Sequence, residues 1–347
     1  MTVTGAEPVL EVRGLTVEFP TEAGMLQAVR GVDFEVTPGQ VVGLVGESGA
    51  GKTVMALAVM GLLPRWARVG GSVRFRGREL LGLSARQLND VRGRHLTMVF
   101  QDPSSSLNPV YTIGTQVAEA VRLHQPVTRD AARQQAEQLL AQVGMADAGA
   151  AARRYPHELS GGMRQRVVIA MAIANHPDVV LADEPTTALD VTIQAQVLDT
   201  LRAACRESGA AVVLVSHDLG VVAGIADEVL VMYAGRIVER GRPDDLYRAP
   251  RMPYTAGLLG SRPERATTRG DRLTPIPGTP PSPLALPSGC SFRPRCPLAR
   301  DRCAEEEPPL LPTESTLHLA ACHFWRELAA VEHPEELFRP VVGSDGG

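Results

Sequence analysis

The chain has 347 residues, 44% of them hydrophobic and 21% charged, with a formal net charge of −4, a balance that suits one large globular domain with an appendage, or two modest domains. The lack of a basic excess and an aromatic content of only 4% argue against a nucleic-acid surface, which needs cationic patches and stacking platforms. No apolar run approaches the ~18 residues of a membrane-spanning helix, and the opening MTVTGAEPVLEV has no basic stretch followed by an apolar one, so a cytosolic location is expected.

In chain order, LEVRGLTVEFP, LQAVRGVDFEVTPG and SVRFRGREL alternate polar and apolar residues, the pattern of half-exposed antiparallel strands. QVVGLVG is a short apolar run ending in glycine, and TVMALAVMGLL after it has helical propensity and length. From about Asp102 to Arg166 the text is helix-rich, with AARQQAEQLLAQVG the clearest amphipathic segment, so a helical insert between core strands is predicted. DVVLADEP and AAVVLVSHD are further strand-like runs, flanked by helix-compatible segments such as IQAQVLDTLRAACRES. Apolar strands alternating with helices predict a mostly parallel sheet covered on both faces. After Arg248 the composition changes: about half of the chain's 27 prolines fall between Pro250 and Pro312, which excludes long regular elements. That region reads as a loop-rich appendage held by something other than a hydrophobic core. The last fifteen or so residues, ending VVGSDGG, are expected to fray. There is no internal repeat.

Gly46-Glu-Ser48-Gly49-Ala-Gly51-Lys52-Thr53 fits G-x-x-x-x-G-K-[ST] between a strand and a helix. In that context the glycines let backbone N–H groups turn inward around phosphates, Lys52 places a point charge on them, and the Thr53 hydroxyl ligates Mg²⁺. The positive end of the following helix adds to the anion site. VVLAD ends in Asp183 and is followed by Glu184; an apolar strand leaving the core in two acids is common, but beside a phosphate loop it reads as an Mg²⁺-shell carboxylate and a water-polarising one.

Leu159-Ser160-Gly161-Gly162-Met163-Arg164-Gln165-Arg166 resembles the LSGGQ signature of ATP-binding cassette (ABC) proteins, with Met163 where glutamine is usual. Physically, Ser160 and the two glycines open a helix with a second backbone nest suited to phosphate. The resemblance implies a P-loop NTPase fold: a mostly parallel α/β core, an antiparallel β subdomain and a helical subdomain. It also implies that this nest faces the γ-phosphate held by another cassette, so that two cassettes sandwich each ATP. On the same resemblance Gln101 in VFQDP watches the Mg²⁺ and attacking water, Asp190 in TTALD lies on the loop that crosses the dimer interface, His217 in LVSHD contacts the γ-phosphate, and Phe19 stacks on adenine.

QDPSSSLNPVYTIGTQVAEA, ADEPTTALDVTIQAQVLDTL and, beyond the cassette, PYTAGLL, IPGTPPSP and GCSFRPRCPLARDRC look like the dipeptide/oligopeptide importer subfamily, which also includes nickel importers. The organisation this implies is a nucleotide-binding domain over 9–255 with its helical insert at about 102–166, a C-terminal extension over 256–330, and a tail. The partners implied are a second, homologous ATPase subunit, two transmembrane permeases and an extracytoplasmic solute-binding protein, with the chain on the cytoplasmic face of the membrane. Soluble cassette proteins of DNA repair or translation generally show coiled coils, fused cassettes or basic surfaces, none of which is visible here.

Of five cysteines, Cys290, Cys296, Cys303 and Cys322 crowd the extension, with five, six and eighteen residues between successive members. Four thiols in a proline-rich cytosolic segment suggest a metal staple, but the spacing matches neither zinc-ribbon knuckles nor ferredoxin runs. The subfamily resemblance implies a 4Fe-4S cluster, with Zn²⁺ the alternative; His323 reads as a bystander. Cys205, on a helical apolar face, reads as a small buried hydrophobe.

Overall fold

The structure is a computed structural model, and it describes residues 7–187, 189–261 and 275–339; the terminal VVGSDGG lies outside them. The chain opens with β1 (Leu10–Thr21) and β2 (Gly24–Val36), paired antiparallel. Then come β3 (Val41–Val45), helix α1 (Lys52–Val59), β4 (Arg68–Phe75) and β5 (Arg78–Glu79). Among the described residues β2-β1-β4-β5 form one antiparallel sheet, as the alternating patterns predict.

The helical insert follows α2 (Ala85–Asn89) and β6 (Leu96–Val99). It comprises α3 (Pro103–Ser106), α4 (Ile113–His124), α5 (Arg129–Gln142), α6 (Ala148–Ala151) and the start of α7 (Gly161–Ile173). Its helices begin where the sequence offers caps: the Thr128 hydroxyl accepts the Ala131 N–H, and the Asp147 carboxylate accepts that of Ala150. The chain then returns through β7 (Val179–Asp183), α8 (Val191–Ser208), β8 (Ala211–Ser216), α9 (Leu219–Ala223), β9 (Glu228–Tyr233) and β10 (Arg236–Gly241).

These strands build the second sheet, in the order β10-β9-β3-β8-β7-β6, parallel from β9 to β6 and antiparallel between β9 and β10. Alternate side chains of each central strand enter different layers. Val179 and Leu181 of β7 join a core with α1 and the antiparallel sheet, while Val180 and Ala182 join the core under α7 and α8. β8 and β9 divide their residues the same way, so each central strand is apolar on both faces.

After α10 (Pro243–Arg248) and α11 (Pro253–Gly260) the extension differs from its expected character. It has few regular elements, but it shares the main core: Ile276, Phe292, Ala321 and Phe338 belong to the same buried cluster as Val231 and Tyr233. Two strands of two residues each, β11 (Leu311–Pro312) and β12 (Leu319–Ala320), continue the large sheet beyond β10. The fully buried Glu239 on β10 fixes this join, accepting hydrogen bonds from the Arg251 and Met252 N–H groups and contacting His318 Nε2 at 2.7 Å. The apolar residues that anchor the extension are scattered among prolines with no period, so no local pattern announces them.

Candidate functional site

The loop Gly46–Gly51 leaves the end of β3 and turns into α1. Gly51 sits at φ +105, and a Cβ there would come within 2.4 Å of the Ala28 carbonyl oxygen, so only glycine fits both the backbone and the space. Ser48 and Gly49 are exposed at the tip. Lys52 is buried, and its Nζ donates to the carbonyl oxygens of Gly46 at 2.7 Å and Glu47 at 3.1 Å. Burial lowers the Lys52 pKa from its ordinary value, against the opposing pull of Glu184, Asp183 and Glu47.

Asp183 ends β7 and accepts the Thr53 hydroxyl at 3.1 Å. Its pKa is raised, by burial first, with the Thr53 hydrogen bond opposing and the Glu184 charge adding to the rise. Glu184 follows at φ +44, a left-handed conformation that costs a non-glycine residue on the order of 1–2 kcal/mol, and its N–H donates to the Val215 carbonyl on β8. Its carboxylate is a hub. Oε1 lies 3.6 Å from Lys52 Nζ, and Oε2 accepts Thr187 Oγ1 at 2.9 Å and Gln101 Nε2 at 3.4 Å and lies 3.2 Å from His217 Nδ1. Burial pushes the Glu184 pKa up, but the Thr187 hydrogen bond, the Lys52 charge and His217 outweigh it and hold the carboxyl below its ordinary range.

The fold thus gathers Lys52, Thr53, Gln101, Asp183, Glu184 and His217 from residues 52–217 into one connected network at the ends of β3, β6, β7 and β8. A ligand crevice outside the carboxyl ends of parallel strands is what an open α/β sheet offers. The arrangement can receive an anion on the loop, carry a divalent cation on Thr53 and Asp183, and set a carboxylate beside a water. Thr187 was not singled out in the sequence, though its place three residues after Glu184 is the signal.

Among the described residues no hydrogen bond or ion pair joins Ser160, Gly161, Gly162, Asp190 or Phe19 to that network. Ser160 caps α7 by accepting the Met163 N–H at 3.4 Å, and Ser160 and Gly161 are exposed. Asp190 caps α8, accepting the Ile193 N–H at 3.0 Å. The two segments touch: a Cβ on Gly162 would stand 2.5 Å from Ile193 Cγ2, so glycine there lets the start of α8 pack against α7. Phe19 meets Trp66 edge-on, ring centroids 5.3 Å apart, and Trp66 is 58% exposed; sequence reasoning gave no sign of this tryptophan.

Cys290, Cys296, Cys303 and Cys322 line a single small pocket with Phe292, His323 and Phe324. Burial pushes the Cys296 and Cys322 thiols up to about 12, and each feels the charge of other members of the set. Among the described residues no three His, Cys, Asp or Glu side chains are grouped so as to hold a metal ion. His323 Nε2 lies 3.0 Å from the Glu306 carbonyl oxygen. Cys205 is buried on α8, its thiol likewise pushed up to about 12 by burial, as expected of an inert packing residue.

Comparison with known proteins sets this geometry in a family. The ABC transporter family model matches residues 29–187, and the model of the oligopeptide/dipeptide transporter C-terminal region matches residues 238–303. The oligopeptide transport ATP-binding protein OppD of Mycobacterium tuberculosis is 56% identical over 91% of this chain, which spans 52% of that relative's length. The dipeptide transport ATP-binding protein DppD of Bacillus subtilis is 45% identical, over 94% of this chain and 97% of its own. Among solved structures, the dimeric post-hydrolysis state of the MJ0796 ATP-binding cassette, bound to ADP and Pi, superposes with a TM-score of 0.61 at 25% identity, covering 67% of this chain and 98% of that one. A connected phosphate-loop network on an α/β core, both family models and a near full-length relative agree: the chain belongs to the ABC transporter ATPase family, in the group that carries the oligopeptide/dipeptide transporter C-terminal region.

Proposed function

We propose that this chain binds and hydrolyses ATP as a subunit of a peptide importer. The observation that carries the reading is the Glu184 hub, which joins the phosphate loop, through Lys52, to Gln101 and His217 around one ionised carboxylate. In this reading the loop amides and Lys52 hold the β- and γ-phosphates, and Gln101 and Glu184 orient a water for in-line attack on the γ-phosphorus, with Glu184 taking its proton. His217 contacts the γ-phosphate, and Phe19, with Trp66 beside it, offers a face to adenine. Mg²⁺ would neutralise charge on the phosphates. Thr53 and Asp183 already sit side by side as oxygen donors, and a site that completes its shell with phosphates and waters needs no further carboxylate.

Ser160, Gly161, Gly162 and Asp190 stand apart from the network, which supports a role across an interface: the exposed nest at the start of α7 would cap the ATP held by a second cassette. The related cassette solved as a dimer supports the same assembly. The partner is read as a homologous ATPase subunit. Two permeases would seat the pair on the cytoplasmic face of the membrane, and an extracytoplasmic binding protein would deliver the peptide. None of the described helices is long and apolar enough to cross a membrane, so the reading assigns passage of the solute to partners. ATP turnover per chain should therefore rise steeply with protein concentration, or on adding the second ATPase. Turnover that is independent of both would sink the sandwich. In the reconstituted complex, ATP-driven uptake of nickel in place of di- or oligopeptides would overturn the cargo.

The four cysteines are read as the ligands of a 4Fe-4S cluster. A single zinc with bonds of about 2.3 Å in tetrahedral array draws its sulfurs to about 3.8 Å of one another, whereas a cubane keeps its four ligands farther apart. Four thiols lining one largely apolar pocket are a donor set that suits a cluster ligated by thiolates alone. Burial disfavours ionisation of the Cys290, Cys296 and Cys322 thiols, and a bound cluster would supply the positive charge that stabilises their thiolates. Anaerobically purified protein should carry on the order of four iron and four acid-labile sulfide per chain; stoichiometric zinc without sulfide would reject the cluster.

A further inference from the structure

Glu47, the second residue of the phosphate loop, is held from three sides. Its carbonyl oxygen accepts Lys52 Nζ, its N–H donates to the Tyr254 hydroxyl at 2.7 Å, and its carboxylate accepts both arms of the Arg295 guanidinium. That pairing is two-pronged, Nη1 to Oε2 at 2.6 Å and Nη2 to Oε1 at 2.9 Å. Arg295 lies 248 positions along the chain, in the turn Arg293–Arg295 between Cys290 and Cys296. Its side chain is only 4% exposed, and its other hydrogen bonds go to the carbonyl oxygens of Pro277 and Ile276 and to the Tyr233 hydroxyl. Tyr254 packs against Tyr233 and Phe292, with ring centroids 4.5 and 5.4 Å away.

A buried guanidinium with its fork locked on one carboxylate fixes position as well as charge. The charge matters because an unpaired Glu47 would set an anion at the mouth of a site built for phosphates. The position matters because Glu47 immediately precedes the exposed tip of the loop, where small displacements of backbone N–H groups weaken anion binding.

We propose that Arg295 is a positioning residue for the phosphate loop: its forked pairing with Glu47 makes nucleotide affinity depend on the folded cysteine-bearing segment. The inference rests on Gly46–Thr53 being the nucleotide site. By linkage, whatever orders the segment around Arg295 tightens the loop, and a nucleotide that orders the loop tightens the segment.

The test is calorimetric titration of the full chain and its Arg295→Met and Arg295→Lys variants with ATPγS, ADP and adenosine, beside steady-state turnover. Arg295→Met should weaken ATPγS binding by roughly tenfold or more, and Arg295→Lys, which keeps the charge but loses the fork, by several-fold. The loss should shrink from ATPγS to ADP and vanish for adenosine, and KM for ATP should rise while kcat stays within about twofold. Should Arg295→Met fail to fold, the Lys variant decides. Parental ATPγS affinity in the Lys variant, or equal losses for all three ligands, overturns the positioning role. A parental chain that binds neither ATPγS nor ADP overturns the nucleotide site itself.

Discussion

Glutamine in place of Glu184 is expected to stop ATP turnover while leaving ATP bound. The amide has the size of the carboxylate and still accepts the Thr187 hydroxyl, which lies 2.9 Å away in the parent, so the local geometry survives. It cannot take a proton from water. Loss of a positioned base costs about 10²- to 10⁴-fold in rate. Binding should hold or tighten, because one negative charge 3.6 Å from Lys52 no longer competes with the phosphates for that ammonium. Phosphate release under saturating ATP measures the first effect, and an ATP-dependent dimer on size-exclusion chromatography the second. The pH dependence has a definite sign. The Glu184 carboxyl is held below its ordinary value, so the base is ionised throughout the neutral range, and its contribution is lost only as pH falls through that lowered value. If Glu184→Gln hydrolyses at the parental rate, the base is elsewhere.

Lys52→Ala is the second large effect, and it falls on binding. Lys52 Nζ is surrounded by the carboxylates of Glu184, Asp183 and Glu47, of which Glu47 is also paired with Arg295 and Glu184 with His217. Without the ammonium, a nucleotide triphosphate meets a site of net negative charge. Each charge-assisted hydrogen bond lost costs about 1.5–3 kcal/mol, so two of them predict a loss of affinity on the order of 10²- to 10⁴-fold. The check is thermal. ATP at about 100 times its Kd stabilises the parent by about 2.7 kcal/mol, and the same concentration should stabilise Lys52→Ala by no more than about 0.4 kcal/mol, a shift in melting temperature close to nil. An undiminished shift would show that Lys52 does not hold the phosphates.

Much of this site is legible in the sequence because its parts are local. The phosphate loop, the Asp183-Glu184 pair and the Ser160 cap each need a fixed residue order over a few positions, and each stands on the strand end or helix start that the order predicts. The two sheets are legible for the same reason: periods of two in β1 and β2, and unbroken apolar runs in β7 and β8, follow directly from one or two buried faces. The rest depends on pairs far apart in the chain. Nothing near Glu47 signals Arg295, and nothing in PYTAGLL marks the Tyr254 hydroxyl as the partner of the Glu47 N–H. The proline-rich extension hides its anchors similarly. Phe292 and Ile276 carry no helical or strand period, so only the folded chain reveals that they finish the core and are not the contents of a separate loop.

The seam between β10 and β12 has a practical bearing on any attempt to shorten this protein. Cutting the chain after α11 would strip away the segment that lies along β10, baring its row of N–H and C=O groups and leaving Glu239 without His318. A naked strand margin invites other chains to stack on it. A trimmed cassette would keep every phosphate-gripping residue named above and still be prone to clump in solution.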